Sequence, residues 1–435
     1  MSKLQVVEVA SAKDATRALD LPEQIRLSLG EIVGDAREGL LALSVRVGLA
    51  VLRETMEWEV DRVVGPKGRH DQGRVAKRHG HTKGEVTLGG RRVSVSRPRV
   101  RSVDDAREIG LDSYREFTSR DPLSAVVAER ILAGVSTRQY RRTQEPVGSE
   151  VEDECRSTSK SAVSREFVRR ARTALQELLA RRLDRLELVA LMIDGIELDE
   201  RCHVVALGIK IDGTKVPLGL WEGSTENATV VTALLADMQE RGLGFDQPIL
   251  CVIDGAKALA KAIRAVIGNH TPIQRCVVHK ARNVCDHLPQ EQRPWVRAKL
   301  ATAWAEEDHA KALASLQALA RALEHQHPTA AASLREGMQE TLTVTRLGIS
   351  GRLKRTLQST NTIENLFSRV RRTQLNVKRW HDGDMRQRWT AAAILDAERN
   401  FRRIKGKHQL ARLAAALGRE LGHPRTQDTD IVNAA

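Results

Sequence analysis

The spacing of apolar residues divides the chain into helical outer parts and a central part that forms strands. Apolar positions recur at helical spacing in residues 22–63 and 121–180. Residues 188–223 instead contain three apolar runs separated by turn residues, which predicts an antiparallel meander. Two further apolar runs then alternate with helical patterns, so the order β-β-β-α-β-α-β predicts one mixed sheet flanked by helices.

The helical pattern returns after the predicted sheet and continues almost to the end of the chain. Residues 286–358 are rich in alanine and have no further strand pattern, which predicts an all-helical insertion. Residues 359–421 are again helical and are strongly basic. The fold class predicted from these patterns is α/β, with a mixed sheet and a long helical segment that follows it.

A short basic segment near the beginning of the chain has the pattern of a β-hairpin. Residues 65–102 are rich in Gly, Arg and His, and apolar and polar residues alternate on both sides of Gly89 and Gly90. Proline cannot donate a hydrogen bond to a neighbouring strand. The second strand of the hairpin is therefore expected to end at Pro98.

The residues after the hairpin have the pattern of a helix-turn-helix. In residues 121–185, two short helices joined through a glycine precede a basic helix that Ser161 or Ser164 could cap. The helix-turn-helix has no strict sequence signature. An ordinary helical linker with a solvated basic face therefore explains this pattern equally well.

The charge balance favours a polyanionic partner. Lys and Arg total 70 against 56 for Asp and Glu, which gives a formal net charge of +14. Nucleic acid is the first candidate, because such a charge attracts phosphate groups. A basic protein without a nucleic-acid partner is the alternative, since charge alone does not locate a binding site.

The sequence predicts a soluble, cytoplasmic protein with no membrane partner. No run of about 18 apolar residues is present, and charges are scattered through the first 30 residues, unlike a secretory signal. An odd number of cysteines argues against a disulfide framework. We therefore expect five reduced thiols: Cys155, Cys202, Cys251, Cys276 and Cys285.

Two aspartates follow apolar strand patterns, and each is followed by glycine. Asp194 stands in LMIDGIEL and Asp254 in LCVIDGAK. A carboxylate at the carboxyl end of a buried strand lies at the edge of the sheet, where a following glycine allows a metal or a phosphate to approach the backbone. The alternative is that Asp-Gly only forms a turn, as we expect for Asp212 and Gly213.

A third carboxylate, Glu364, lies on a helix with one apolar face. In QSTNTIENLFSRVRRT the apolar residues recur at helical spacing and leave Glu364 on the adjoining polar side. Asn361 and Glu364 also have the spacing of a capping box, in which the glutamate only satisfies a backbone amide. Both interpretations are open from the sequence.

Three carboxylates form a donor set that suits divalent cations. Mg²⁺ prefers oxygen ligands, and Mn²⁺ is its usual substitute in such sites. Two such ions can activate an attacking water or 3′-hydroxyl and stabilise the leaving oxygen. Asp194, Asp254 and Glu364 are therefore candidate ligands for two Mg²⁺ ions.

A cysteine- and histidine-containing segment, RCVVHKARNVCDH, lies between the second aspartate and the glutamate. Cys276, His279, Cys285 and His287 have the residue types of zinc ligands. Zinc is possible but not favoured, because the Cys-x-x-His half could equally orient an active site through hydrogen bonds. Among the patterns considered, the sequence has no serine or cysteine triad and no Gly-rich phosphate loop.

These motifs together resemble the Mutator-type transposases of bacterial insertion sequences. The matching segments are LMIDGIEL, VIDGAKAL, RCVVHKARNV and STNTIENLFSRVRR, in the order found in that family, and GVSTRQYRR and SKSAVSREF resemble its N-terminal DNA-binding segments. The resemblance implies a ribonuclease-H-like catalytic core and a DDE transposase that cuts DNA and transfers strands. It also implies metal binding by Asp194, Asp254 and Glu364, with Cys276 and His279 in support.

The resemblance implies double-stranded DNA as partner, both as element ends and as target. Residues 1 to about 185 are expected to bind terminal inverted repeats, and two ends must be brought together, so we expect at least a dimer on DNA. The candidate DNA-binding residues are Arg91, Arg92, Arg97, Arg138, Arg141, Arg142, Arg165, Arg169, Arg371, Arg372, Lys378 and Arg379.

The predicted domains follow from the patterns and the resemblance together. They are an N-terminal helical segment with a basic hairpin (1–120), a helix-turn-helix-like segment (121–185), a ribonuclease-H-like domain with a helical insertion at about 286–358 (186–421), and a C-terminal tail (422–435). Two other functions are compatible with the same residues. One is a nuclease or resolvase that cuts without joining, and the other is a DNA-binding regulator without chemistry.

Overall fold

The computed structural model describes most of the chain between residues 40 and 420. Residues 1–39, the hairpin tip at Gly89 and Gly90, and the predicted C-terminal tail lie outside the described residues. Two compact units can be distinguished, Met1–Arg170 and Ala171–Ala435. The described ranges are 40–69, 73–88, 91–119, 124–143, 156–157, 159–223, 227–246, 248–381 and 384–420.

The first unit contains a long helix packed on a small antiparallel sheet. The apolar side chains of the helix recur every three or four residues from Val45 to Val64 and pack against strand residues such as Val86 and Val95. This confirms the predicted N-terminal helix from residue 40 onward. Its elements are α1 (Leu40–Val64), β1 (Ala76–Leu88), β2 (Arg91–Ser102), β3 (Glu108–Ile109), α2 (Asp112–Ser119), α3 (Ser124–Leu132) and β4 (Arg156–Ser157).

The predicted hairpin is present, but its second strand does not end where we expected. β1 and β2 pair antiparallel, and β2 continues through Pro98 as far as Ser102. Pro98 stands opposite His81, where the register shifts between Arg78 and His81. A proline is tolerated at such an irregularity, because the ladder of hydrogen bonds is already interrupted there.

The helix-turn-helix-like segment differs from the prediction in its second helix. α3 ends in a turn at Gly134, which has a φ of +99°. The expected second short helix is only a 3₁₀ turn, Tyr140–Thr143, and short helices are marginal without tertiary support. The basic helix α4 (Lys160–Ala180) begins earlier than predicted and is capped by Ser159, whose hydroxyl accepts from the amide of Ala162 at 3.2 Å. The helix-turn-helix interpretation stays a prediction, and residues 144–155 lie outside the described ranges.

The second unit is built on a five-stranded mixed sheet with strand order β7-β6-β5-β8-β9. β5, β6 and β7 form an antiparallel meander, and β8 and β9 are added in parallel beside β5. The elements from β5 to β9 occur in the order predicted from the sequence. They are β5 (Leu188–Leu198), β6 (Arg201–Lys210), β7 (Lys215–Gly223), α5 (Ala228–Glu240), β8 (Leu250–Ile253), α6 (Lys257–Val266) and β9 (Ile273–Arg275).

β9 is shorter than its apolar pattern suggested. The pattern extends to Val278, but a helix already begins at Val277, and the amide of Val277 donates to the carbonyl of Gln358 at 2.9 Å. The remaining helices of the unit follow this point. They are α7 (Val277–Asp286), α8 (Arg293–Ala305), α9 (His309–Glu324), α10 (Pro328–Arg335), α11 (Thr343–Arg346), α12 (Gly351–Leu357), α13 (Asn361–Thr373), α14 (Met385–Arg399) and α15 (Leu410–Glu420).

Each face of the sheet has its own apolar core. One face packs against α13, α14 and α15, and the other packs against α5 and α6. A third core holds α7 to α10 together. No helix in the described ranges is both long enough and apolar enough to cross a membrane.

Candidate active site

Asp194 and Asp254 follow the paired parts of two neighbouring parallel strands. β5 and β8 pair residue by residue, ending with Met192 beside Val252. Asp194 and Asp254 each lie two residues beyond this last pair. Neighbouring strands lie about 4.8 Å apart. We therefore expect the two aspartates to lie near each other where the pairing of β5 with β8 ends.

The alternation of side chains indicates which face both aspartates share. Met192 and Val252 belong to the core on the α13 side of the sheet. Alternate residues of a strand point to the same face. Asp194, two residues beyond Met192, and Asp254, two residues beyond Val252, therefore face the side on which α13 packs.

Asp194 does not end its strand, contrary to the sequence expectation. β5 continues to Leu198, and beyond Met192 its pairing is with β6 alone. Asp194 therefore stands where the five-stranded part of the sheet ends, although its own strand goes on. Its side chain is buried, and one carboxylate oxygen accepts from the amide of Gly195 at 2.9 Å.

Asp254 directly follows β8, as expected. Its Oδ1 accepts from the amide of Ala256 at 2.7 Å, and Gly255 between them has a φ of +108°. This is the turn that the alternative interpretation of Asp-Gly predicted. It occupies one carboxylate oxygen and leaves the residue at the edge of the sheet.

Glu364 is held on the first turn of α13 by the buried face of that helix. Ile363, Leu366, Phe367 and Val370 are buried, as the apolar stripe predicts. The helix begins after Thr360, and no side chain caps its amides. The capping box between Asn361 and Glu364 is therefore not formed, because Glu364 Oε1 instead accepts from the hydroxyl of Thr360 at 2.8 Å.

Thr360 connects the glutamate to the Cys-x-x-His motif. Its hydroxyl lies 3.4 Å from Nδ1 of His279, and its amide donates to Sγ of the buried Cys276 at 3.4 Å. Nε2 of His279 lies 3.8 Å from Oε1 of Glu364. Sequence reasoning missed Thr360, because two of its polar partners, Cys276 and His279, lie more than 80 residues earlier in the chain.

The charges around His279 favour its protonated form. Its pKa is raised to about 9, chiefly by a hydrogen bond with Cys276, and the negative charges of Asp194 and Glu364 add to the effect. Burial raises the pKa of the Cys276 thiol, but hydrogen bonds with His279 and Thr360 outweigh it and leave that pKa below its ordinary value. His279 thus senses carboxylates from both β5 and α13.

One group of side chains lies close enough together to hold a metal ion. The donor atoms of Cys276, His279 and Glu364 all lie within 4.8 Å of one another. Cys285 and His287 do not join this group in the described part of the chain, so the wider set of zinc-type residues is not brought together. Among the described residues, the carboxylate oxygens of Asp194, Asp254 and Glu364 do not all lie within 4.8 Å of one another. Two metal ions would therefore be needed to bridge the three carboxylates.

The candidate DNA-binding residues fall into paired and unpaired sets. Arg92 lies 3.3 Å from Glu85, Arg97 lies 3.1 Å from Glu108, and Arg169 lies 2.5 Å from Glu166. The side chains of Arg91 and Arg141 lie outside the description. Within the described ranges, the following have no ion pair: Arg138, Arg142, Arg165, Arg371, Arg372, Lys378 and Arg379.

Comparison with known proteins places these features in a family. The family model "Transposase, Mutator family" matches residues 31–403. A transposase for insertion sequence element ISRM5 of Rhizobium meliloti (strain 1021) is 26% identical over 353 residues, which cover 81% of this chain and 86% of that protein.

Two further relatives are similar over shorter parts of the chain. The transposase for IS256 in transposon Tn4001 of Staphylococcus aureus is 28% identical over 286 residues, covering 63% of this chain and 70% of that protein. The transposase for IS6120 of Mycolicibacterium smegmatis is 32% identical over 198 residues, covering 44% of this chain and 60% of that protein. Because the family model matches well over half of its length, the chain belongs to the Mutator family of transposases.

Proposed function

We propose that this protein is a DDE transposase of an insertion sequence, which cuts DNA at the element's ends and joins them to a target. The observation that carries the proposal is the shared face of the sheet. β5 and β8 pair as far as Met192 and Val252, two residues before Asp194 and Asp254, and these paired residues belong to the core on the α13 side, which supports a site shared with Glu364. The strand order, three antiparallel strands followed by two parallel ones, supports a ribonuclease-H-like core.

The donor set fits divalent cations with oxygen ligands. Asp194, Asp254 and Glu364 would hold two Mg²⁺ ions, with Mn²⁺ as a substitute, and the bound ions would supply charge stabilisation and an activated oxygen nucleophile. A hydrogen bond with Cys276 is the main cause of the raised pKa of His279, and the smaller contributions of Asp194 and Glu364 support the fit, because a cation would meet the same negative charge. Cys276 and His279 would support the glutamate through Thr360.

The chain's own residues would position the reacting groups. The Thr360 hydroxyl restricts the Glu364 carboxylate, and the turn at Ala256 restricts Asp254. Residues 1 to about 185 would bind terminal inverted repeats, and the exposed Arg371, Arg372 and Lys378 would meet phosphates beyond Glu364. At least two copies would assemble on DNA, because two ends must be joined.

Strand transfer in vitro tests the proposal. The full chain is incubated with Mg²⁺ or Mn²⁺, a labelled duplex of the element's end and a target plasmid. Asp194→Asn, Asp254→Asn and Glu364→Gln should each abolish joining, because each removes a ligand charge. Asp286→Asn is the matched control, since Asp286 is an exposed carboxylate on α7.

The products separate the proposed function from its alternatives. Joined product that depends on all three carboxylates supports a transposase. Cut product without joining would point to a nuclease. DNA binding with neither product under either metal would point to a regulator, and joining by a carboxylate variant would remove that residue from the site.

A further inference from the structure

A basic cleft of about 690 Å³ opens beside the first turn of α13. Its walls come from four parts of the second unit: the beginning of β7, the helix α12, the beginning of α13, and the segment between α14 and α15. Its lining includes six cationic side chains. They are Lys215, Arg352, Arg355, Arg402, Arg403 and Lys405.

The positive charge of this cleft is largely uncompensated. None of the lining residues is acidic. In the described part of the chain, Arg352, Arg355, Arg402 and Lys405 take part in no ion pair, and Arg403 reaches Asp212 only at 3.8 Å. Like charges held this close repel one another, so the folded chain keeps a cost that an anion would relieve. Burial lowers the pKa of Lys215, and the nearby Arg369, which is not a lining residue, adds to the effect.

Contacts of the backbone join the walls of the cleft. The amide of Ile404 donates to the carbonyl of Gly213 at 2.9 Å, and the hydroxyl of Thr356 donates to the carbonyl of Lys405 at 3.4 Å. Gly406, with a φ of +81°, lies against the backbone of Leu353. The segment that carries three of the cations is therefore attached to α12 and to the turn before β7.

The cleft is adjacent to the candidate active site. Asn361, Thr362 and Asn365 line it, and they belong to the same turn of α13 as Glu364. The amides at the beginning of a helix attract anions. An anion in the cleft would therefore lie next to the face of α13 that presents the glutamate.

We propose that this cleft binds the phosphodiester backbone of duplex DNA and leads it to Glu364. The choice of DNA as the polyanion rests on the proposed function. A single phosphate group carries at most about two negative charges, which would leave most of the six cations unpaired. Duplex DNA carries one charge per about 1.7 Å of its axis, so several phosphates can enter the cleft together.

Anisotropy with a labelled duplex in EDTA tests the proposal without requiring chemistry. The cleft variant combines Arg352→Gln, Arg355→Gln and Arg402→Gln in the full chain. The control variant removes the same charge from exposed residues of α8 and α9, through Lys299→Gln, Lys311→Gln and Arg321→Gln. Affinity is measured across a salt series.

We expect the cleft variant to bind at least tenfold more weakly and its salt slope to become shallower by about 3, because each lost phosphate contact removes about 0.9 from the slope. The control should stay close to wild type. Equal salt slopes in the two variants would overturn the proposal. So would a competition experiment in which ATP displaces the labelled duplex but unlabelled duplex, at the same concentration of negative charge, does not.

Two additions keep this result independent of folding and of the proposed function. Arg352→Lys, Arg355→Lys and Arg402→Lys together should restore binding, because they restore the charge. If wild type joins no DNA but only the cleft variant loses binding, the cleft stands and the transposase proposal fails. If wild type joins DNA and the cleft variant binds and joins equally well, the cleft proposal fails alone.

Discussion

Thr360 shows how one buried hydroxyl can organise several charged groups. It donates to Glu364, lies 3.4 Å from His279, and its amide contacts Cys276. Its side chain is inaccessible to solvent. Loss of this residue would therefore release the glutamate and disturb the Cys-x-x-His motif at the same time.

Thr360→Val should destabilise the fold by about 1 to 2 kcal/mol, because it removes a buried donor from a charged acceptor while keeping the side chain's shape. Urea unfolding measures the change. Thr302→Val is the control, since Thr302 is exposed and its hydroxyl only returns to the carbonyl of Ala298. Equal stability of the Thr360 variant and wild type would contradict the geometry described for this hydroxyl.

The titration of His279 tests whether the carboxylates converge, independently of any catalysis. NMR should find its pKa near 9 in the wild type. Cys276→Ala should lower that pKa most, because the thiol's hydrogen bond is the largest stabilisation of the imidazolium. Asp194→Asn should lower it less, by removal of one negative charge. An unchanged value in the Asp194 variant would place that carboxylate too far away to act on the histidine.

Several candidate residues could be predicted from the sequence, but their contacts could not. The positions of Asp254 after its strand and of Glu364 on its helix follow from local apolar patterns, which can be read from the sequence alone. The capping box at Asn361 was the wrong alternative, because Thr360 competes for the same glutamate. The hydrogen bond of Thr360 to Glu364 spans only four residues, whereas the contacts of Thr360 with Cys276 and His279 span more than 80 and are not encoded in any local pattern.

At the scale of elements, α13 is positioned by one apolar face. Phe367→Ala should destabilise the second unit by about 3 to 5 kcal/mol, because it empties a buried aromatic position. Leu375→Ala, just beyond the helix, should change stability by less than about 0.5 kcal/mol, since Leu375 is 71% exposed. Chemical denaturation of both variants measures the difference, and similar losses would show that α13 does not pack as described.

The segment between α14 and α15 depends on a close approach at Gly406. A methyl group there would overlap the backbone nitrogen of Leu353 and lie 2.8 Å from its Cα, and the φ of +81° disfavours any side chain. Gly406→Ala should therefore cost about 1 to 3 kcal/mol. Gly244→Ala is the matched control, because its added carbon meets only Asp246, at 4.0 Å. Thermal unfolding that ranks the two variants equally would argue against this attachment.

The order of elements was predictable because apolar runs and helical spacing are properties of short segments. The ends of the strands were not. β2 passes through Pro98, and β5 passes through Asp194, because a bulge in one case and continued pairing with β6 in the other sustain the strand. Both effects come from the neighbouring strand and not from the residue itself.

For the whole molecule, the formal charge of +14 predicts DNA binding that weakens steeply with salt. Six cleft cations that each meet a phosphate would alone give a slope of about −5 in a plot of log affinity against log salt. Duplex binding between 50 and 200 mM salt, measured by anisotropy, checks this. A slope near zero would show that the positive charge does not contact the DNA backbone.

Composition indicated a polyanionic partner but could not show where it binds. The cleft cations come from position 215, from 352 to 355 and from 402 to 405, so only the fold brings them together. The same is true of the candidate active site, whose carboxylates come from β5, β8 and α13. Their meeting depends on the strand order, which the alternation of strands and helices indicates only in outline.

The helices between β9 and α13 also delay the synthesis of Glu364 relative to the two aspartates. Glu364 is 110 residues after Asp254, and a ribosome adds about 5 to 20 residues per second, so roughly 5 to 20 s separate the two. During that interval, a nascent chain carries both aspartates without the glutamate. Under the proposed function, such a chain cannot join DNA, and a product truncated before α13 would stay inert towards the genome that encodes it.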